Sequence, residues 1–225
     1  MCVGEKYTTN DVSKLYGMVK KNCSLPFLFT CISDQQQDVG NTILIDTSLD
    51  LETYWWKILI FQLGWDEPTI YFDLDVIIQN NFDHLFNEIK RNKIVSPFIS
   101  DMTDPSNYPY DGSEDNILVI PPAMVNTSFM GLYPVDHKTK YGHFINNLDF
   151  YIITCLGLDR YLFKYFEDSF IKLSFANDWY HRTKCYEYDN RYIDKYGWVN
   201  DPRKTICILS QATSEHYLGM EKYFL

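Results

Sequence analysis

No stretch of this chain approaches the roughly 18 consecutive apolar residues of a membrane-crossing helix, and its opening, MCVGEKYTTND, has neither the basic nor the apolar region of a signal peptide. Those two absences predict a soluble, cytoplasmic protein. Basic residues are scarce as well: 20 Lys and Arg stand against 30 Asp and Glu, a formal net charge of -10. No broad cationic surface can then form to neutralise a nucleic-acid backbone, so nonspecific DNA or RNA binding is disfavoured. The six cysteines, at 2, 23, 31, 155, 185 and 207, make no CxxC pair and no cluster with histidine, which argues against a structural zinc site. In a reducing compartment they read as small buried thiols rather than a disulfide framework. The sequons at Asn22 and Asn126 then carry little meaning. Also missing are internal repeats, low-complexity linkers and any sign of a second domain. A length of 225 residues fits one domain with a full core.

Aromatic side chains are what the chain has in excess: 18 Tyr, 15 Phe and 5 Trp. Such rings suit a Tyr-rich core and rim, or a cleft for sugars and bases. Val12, Leu15, Tyr16 and Val19 fall at helical spacing, which predicts a helix over Thr9 to Asn22 with Thr9 or Asn10 as its cap. PFLFTCIS reads as a strand, and ILI at 43 to 45 as a second strand or an extended loop. Leu51 to Leu63 carries a second helical pattern, TIYFDLDVII reads as one buried strand, and NNFDHLFNEIKRNK as the helix after it. IVSPFIS is a further strand, residues 101 to 116 a long polar loop, and ILVIPP and NTSFMGLYP strand-and-turn elements. His143 to Phe166 reads as two helices parted near Gly157, and FIKLSF and TICILS close the chain as strands separated by an aromatic-rich loop. Strands alternating with helices at these lengths predict an α/β fold, mostly parallel, with antiparallel pairing near the carboxyl end.

The sharpest chemical signal is Tyr71-Phe72-Asp73-Leu74-Asp75. On a continuous strand, side chains repeat with period two, so Asp73 and Asp75 would share one face. Two carboxylates that close favour protonation of one, or a hard divalent ion such as Mg²⁺ or Mn²⁺ that bridges to phosphate. The alternative is that both emerge into solvent at the end of the strand, or that one caps a turn.

At these residues a family resemblance emerges. YFDLDVIIQNNFDHLF resembles the strand, DxD motif and following helix of GT-A-type nucleotide-sugar glycosyltransferases, in particular the family 8-like group of small bacterial and viral members. CVGEKYTTNDVSKLYGMVKKNCSLPFLFTCISD resembles the group's first nucleotide-binding segment, and TYWWKILIF the segment before its DxD strand. NTSFMG, GLDRYL and ANDWYHR are similar to later elements in the expected order. The likeness thus spans most of the chain.

The resemblance implies a single GT-A-like, Rossmann-like domain over residues 1 to 225, with a donor-binding part over about 1 to 100 and an acceptor side over about 101 to 225. It implies sugar transfer from a nucleotide-sugar, a UDP-sugar by preference, with retention at the anomeric carbon, in the cytoplasm of a bacterium or a virus-infected host cell. Mn²⁺ or Mg²⁺ would bridge Asp73, Asp75 and the diphosphate, Asp73 also facing the ribose. Val3, Gly4 and Tyr7 would meet the nucleoside, Tyr7 by stacking on the base, and Lys57 would reach a phosphate. Asn126 would bond sugar hydroxyls, and Asp159 with Arg160 would orient sugar or acceptor near the anomeric carbon.

Each of these residues also has a plainer reading: packing for Tyr7, a solvated helix lysine for Lys57, a strand-entry turn for Asn126 and a helix cap for Asp159. Trp179 and Tyr180 would line the acceptor cleft or fill core. The group's carboxyl-terminal His-Gly and Lys-Pro pairs are missing after TICILS, which leaves His216, and secondly His181, as the candidate third metal ligand. Two other readings remain open: a binding protein that keeps the nucleotide-sugar cleft without turnover, and another DxD-using enzyme of phosphate transfer. The acceptor is not named by any motif; a modified DNA base stays among the options.

Overall fold

The computed structural model describes residues 1–49, 51–52, 54–90, 93–97, 125–133, 137–173, 178–182, 190–209 and 217–224. In chain order its elements are α1 (Thr9–Asn22), β1 (Thr30–Ser33), β2 (Asn41–Leu44), a 3₁₀ helix (Trp55–Phe61), β3 (Thr69–Phe72), β4 (Val76–Ile78), α2 (Leu85–Glu88), β5 (Ile94–Pro97) and β6 (Phe129–Leu132). Then come α3 (Lys138–Ile145), α4 (Leu148–Cys155), α5 (Leu158–Phe166), β7 (Phe170–Leu173), β8 (Trp179–Arg182) and β9 (Ile206–Leu209), with short 3₁₀ turns at 167–169, 190–192 and 221–223. The expected strand at 117 to 122 and the loop at 101 to 116 lie outside the described residues, as does His216. The α/β class expected from the alternating pattern is the class observed. Parallel pairs (β1 with β2, β5 with β7, β8 with β9) mix with antiparallel ones (β5 with β6, β4 with β9).

The chain's internal contacts divide it into two compact units. The first comprises Met1–Asp50, Tyr71–Glu88 and Ser174–Leu225. It holds the pair β1-β2, extended by a bridge from Cys2 to Ser33, and the sheet β4-β9-β8, against which α1 packs. Met18, Phe82, Trp179 and Tyr180 are among its fully buried side chains. The helix α1 follows from its sequence: Val12, Leu15, Met18 and Val19 are its buried residues and Lys20 and Lys21 close its last turn. Its cap is Thr8, not Thr9 or Asn10. The Thr8 N–H and hydroxyl both donate to the Asp11 carboxylate, at 3.0 and 2.9 Å, the reciprocal arrangement that satisfies an orphan helix-end donor.

The second unit comprises Leu51–Ile70 and Ile89–Leu173. The sheet β3-β6-β5-β7 runs through it, β3 entering with Thr69 and Ile70. Around the 3₁₀ helix and α3 to α5 an aromatic core forms: Trp55 stacks on Phe144 at 5.0 Å, and Phe144 meets Tyr161 edge-on at 5.1 Å. Among the described residues, these rings of the excess noted in the sequence serve packing. Gly131 of β6 faces Val95 of β5, where an added Cβ would come within 3.1 Å of the Val95 side chain.

Two expectations are corrected. TIYFDLDVII is not one strand: β3 stops at Phe72, Asp73 to Asp75 form a turn in which the Val76 N–H reaches the Asp73 carbonyl at 3.3 Å, and β4 starts afresh to pair with β9. The helix expected over 80 to 93 is only Leu85–Glu88. Its polar amino end bonds elsewhere: Asn80 donates to the carbonyls of Pro202 and Lys204, each at 2.8 Å, and the Asp83 N–H is taken by the Asn81 side chain at 3.0 Å.

Asp83 also makes stability depend on acid. The Ser24 hydroxyl foremost, with the Asn81 amide and the Ser24 N–H, donates to its carboxylate and lowers its pKa to about 2, against an ordinary 3.8. A carboxyl depressed in this way contributes stability that is present above the ordinary value and is lost as pH falls toward the folded one. The Asp83→Asn protein is accordingly expected to show a shallower loss of Tm than the parent between about pH 4 and pH 2, read by circular dichroism melts.

Candidate active site

The turn between β3 and β4 gathers the first cluster. Leu74 is buried while Asp73 and Asp75 on either side of it are half-buried, so the central residue anchors the turn; Oδ1 of Asp75 is itself buried. Each carboxylate accepts a phenolic hydroxyl: Tyr71 donates to Asp73 Oδ1 at 2.5 Å and Tyr7 to Asp75 Oδ2 at 3.1 Å. Burial pushes both phenols well above the usual tyrosine range, and the negative field of the two aspartates pushes them further the same way. They are donors fixed in their protonated form, holding the two carboxylates in place. The Tyr217 phenol is raised likewise, by burial first and then by the charges of Asp75 and Asp11.

Tyr7 reaches Asp75 because the amino-terminal segment runs beside β1. The Cys2 N–H donates to the Ile32 carbonyl at 2.9 Å, Val3 is buried, and Gly4 turns at φ 71 with its N–H on Asp34 Oδ2 at 3.0 Å. That positive φ is one that glycine adopts without steric cost. Of the three residues expected to bind the nucleoside, Val3, Gly4 and Tyr7, it is Tyr7 that meets one metal candidate, Asp75, within the first unit. Tyr71 and Asp34 were not singled out in the sequence. For Tyr71 a signal existed, since it stands two residues before Asp73 on a strand and hence on the same side.

The second unit assembles another set. The Lys57 ammonium donates to Thr127 Oγ1 at 3.3 Å, and the Thr127 N–H and hydroxyl both donate to Asp159 Oδ1, the former at 3.1 Å. Thr127 is fully buried and thus ties together two residues read from the sequence as functional, 102 positions apart (159 minus 57). Asp159 sits in the first turn of α5, where a carboxylate is favoured by the helix dipole. Asn126 uses its backbone on β5, its N–H donating to the Pro97 carbonyl and its carbonyl accepting from the Ser96 hydroxyl, while its side-chain oxygen accepts from the Ser128 N–H at 2.8 Å. Arg160 turns its guanidinium to the Leu156 carbonyl at 3.2 Å.

Trp179 and Tyr180 are core residues of β8, 1% and 0% exposed, so the expected role of lining a cleft is replaced by packing. His181 lends its backbone to β8. Among the described residues no group of three or more His, Cys, Asp or Glu is placed to hold a metal ion. The pair Asp73 and Asp75 nonetheless fits one. Mg²⁺-type ions are commonly bound through one or two carboxylates, with phosphate oxygens and water completing the shell, and these are hard oxygen donors on one half-buried turn.

No protein-family model matches this chain, and neither does any curated protein. Solved structures do. The galactosyltransferase LgtC in complex with donor and acceptor sugar analogues aligns with a TM-score of 0.63, and an active-site mutant of LgtC with 0.59. The fold is that of LgtC. Each alignment covers 99% of this chain and 92% of the other at 10% identity, so the likeness lies in topology, of GT-A type, and does not reach individual side chains. Among the described residues no helix is long and apolar enough to cross a membrane.

Proposed function

We propose that this chain is a glycosyltransferase that moves a sugar from a nucleotide-sugar, preferentially a UDP-sugar, to an acceptor, with Mn²⁺ or Mg²⁺ held by Asp73 and Asp75. The observation that carries the reading is the Asp-Leu-Asp turn on an LgtC-like fold, with a phenol fixed on each carboxylate. Such an ion, when bound, offsets the charge that gathers on the departing diphosphate. Tyr7 and Tyr71 keep the two aspartates oriented. The Val3 to Tyr7 segment receives the nucleoside, and Lys57, positioned by Thr127, supplies a cation for phosphate. Asn126 and Asp159 serve the sugar, and the anomeric configuration is retained, as the family resemblance implies. His216 is the further metal ligand in this reading. The thiols of Cys2, Cys23, Cys31, Cys155 and Cys207 are free, which suits a reducing compartment and so the cytoplasm.

Calorimetric titration with UDP tests the core of it. Binding is expected with Mn²⁺ and expected to fail when the metal is chelated; equal affinity in both conditions removes the metal from the proposal. Release of free sugar from a UDP-sugar panel without acceptor then separates an enzyme from a binding protein of the same fold.

A further inference from the structure

Helix α4 and the turn that ends it leave three large apolar side chains facing water. Phe150 is 54% exposed, Ile153 60% and Leu156 48%, and a spacing of three sets them along one helix face. The opposite side of α4, with Tyr151 and Cys155, is buried. Contiguous exposed apolar groups of this kind mark contact surfaces more often than chance scatter. The ridge also ends in strain: Leu156 stands at φ 50, in the left-handed region that is sterically costly for a leucine. The two ends of the ridge carry opposite charge. Exposed Asp149 stands beside Phe150, while at the far end the Arg160 guanidinium lies on the Leu156 carbonyl.

We infer that this ridge is the contact between two copies of the chain, packed antiparallel about a two-fold axis at Ile153. Such an interface is self-complementary, each residue meeting the position that meets it in return. Ile153 then faces its own counterpart, Phe150 faces Leu156, and the Asp149 carboxylate of each copy lies against the Arg160 guanidinium of the other. A second copy uses both signs of charge on the ridge. An anionic lipid surface would use Arg160 alone and repel Asp149 along with a chain of net charge -10.

Sedimentation velocity of the whole chain across the micromolar range is expected to show a reversible monomer–dimer equilibrium. Ile153→Asp is expected to weaken it by about tenfold or more, as for a central apolar contact. Asp149→Arg and Arg160→Glu are each expected to weaken it, and the double reversal to regain at least half of the loss, because the pair is then rebuilt with its signs exchanged. Near-UV circular dichroism is read first, and Ile153→Ser replaces Ile153→Asp if the latter has lost its tertiary signal. A monomer at every concentration, a dimer indifferent to Ile153, no recovery in the double reversal, or Ile153-dependent flotation with anionic vesicles in place of a dimer each overturns the inference.

Discussion

Asp75→Asn is expected to abolish Mn²⁺-dependent binding of UDP and to cut turnover of the UDP-sugar by about three orders of magnitude, roughly 4 kcal/mol. Asparagine keeps the shape of the side chain and its oxygen can still accept the Tyr7 hydroxyl, so the turn between β3 and β4 should survive while the charge is lost. Tyr7→Phe is the matched control. It leaves both carboxylates and removes only the hydroxyl that stands 3.1 Å from Asp75. Loss of an outer group that orients a metal ligand typically costs ten- to a hundredfold in affinity or activity, so a loss of about tenfold is expected. Steady-state kinetics and calorimetry on the three proteins read both effects. Metal-dependent binding that persists in Asp75→Asn would show that the ion is held elsewhere. An equal collapse in both variants would mean that the amino-terminal segment, not the charge, is what the site depends on.

The pattern of α1 was legible down to its last residue because apolar spacing, acidic first turn and basic last turn all agree locally. Only its cap was misplaced, by one residue. Residues 69 to 78 misled for a specific reason. Nearly continuous apolar character is what a buried strand shows, yet Leu74 can be buried inside a turn as well as on a pleat, and the sequence does not distinguish the two. The turn changes the chemistry little, since Asp73 and Asp75 remain close in sequence and half-buried. It changes which partners they find. Over residues 80 to 93 the helical spacing of Phe82, Leu85, Phe86 and Ile89 was real, but Asn80 and Asp83 spend their side chains on Pro202, Lys204 and Ser24. Those partners lie as far as 124 positions away, which no local pattern reports. The meeting of Lys57 with Asp159 through Thr127 was hidden in the same way. Each residue was suspected singly, on a family resemblance; their junction is made by Thr127, just before β6, reaching Asp159 of α5 within one unit.

Asp194→Ala is expected to cost about 3–5 kcal/mol of unfolding free energy, the amount typical of stripping the partner from a buried charge. Arg182 is 0% exposed at the end of β8, its guanidinium donating to Asp194 Oδ2 at 2.6 Å, to the Leu218 carbonyl at 2.5 Å and to the Val199 carbonyl at 3.1 Å. Asp194 is its charged partner among these, at 13% side-chain exposure, and it also takes the N–H groups of Tyr196 and Trp198. Its loss removes a carboxylate 2.6 Å from a fully buried guanidinium, in a domain whose whole stability is of the order of 5–15 kcal/mol. Adding Arg182→Met to Asp194→Ala removes the buried charge as well and fills most of its volume. The double variant is therefore expected to be more stable than Asp194→Ala alone, even though two carbonyls lose a donor. Urea denaturation at pH 7 reads all four corners of the cycle. Additive losses would mean that the pair acts only through packing. The same guanidinium fixes Leu218, next to Tyr217, whose phenol lies in the field of Asp75. Asp194→Ala should thus also weaken Mn²⁺-dependent UDP binding in the fraction that stays folded, an effect that loss of stability alone would not produce.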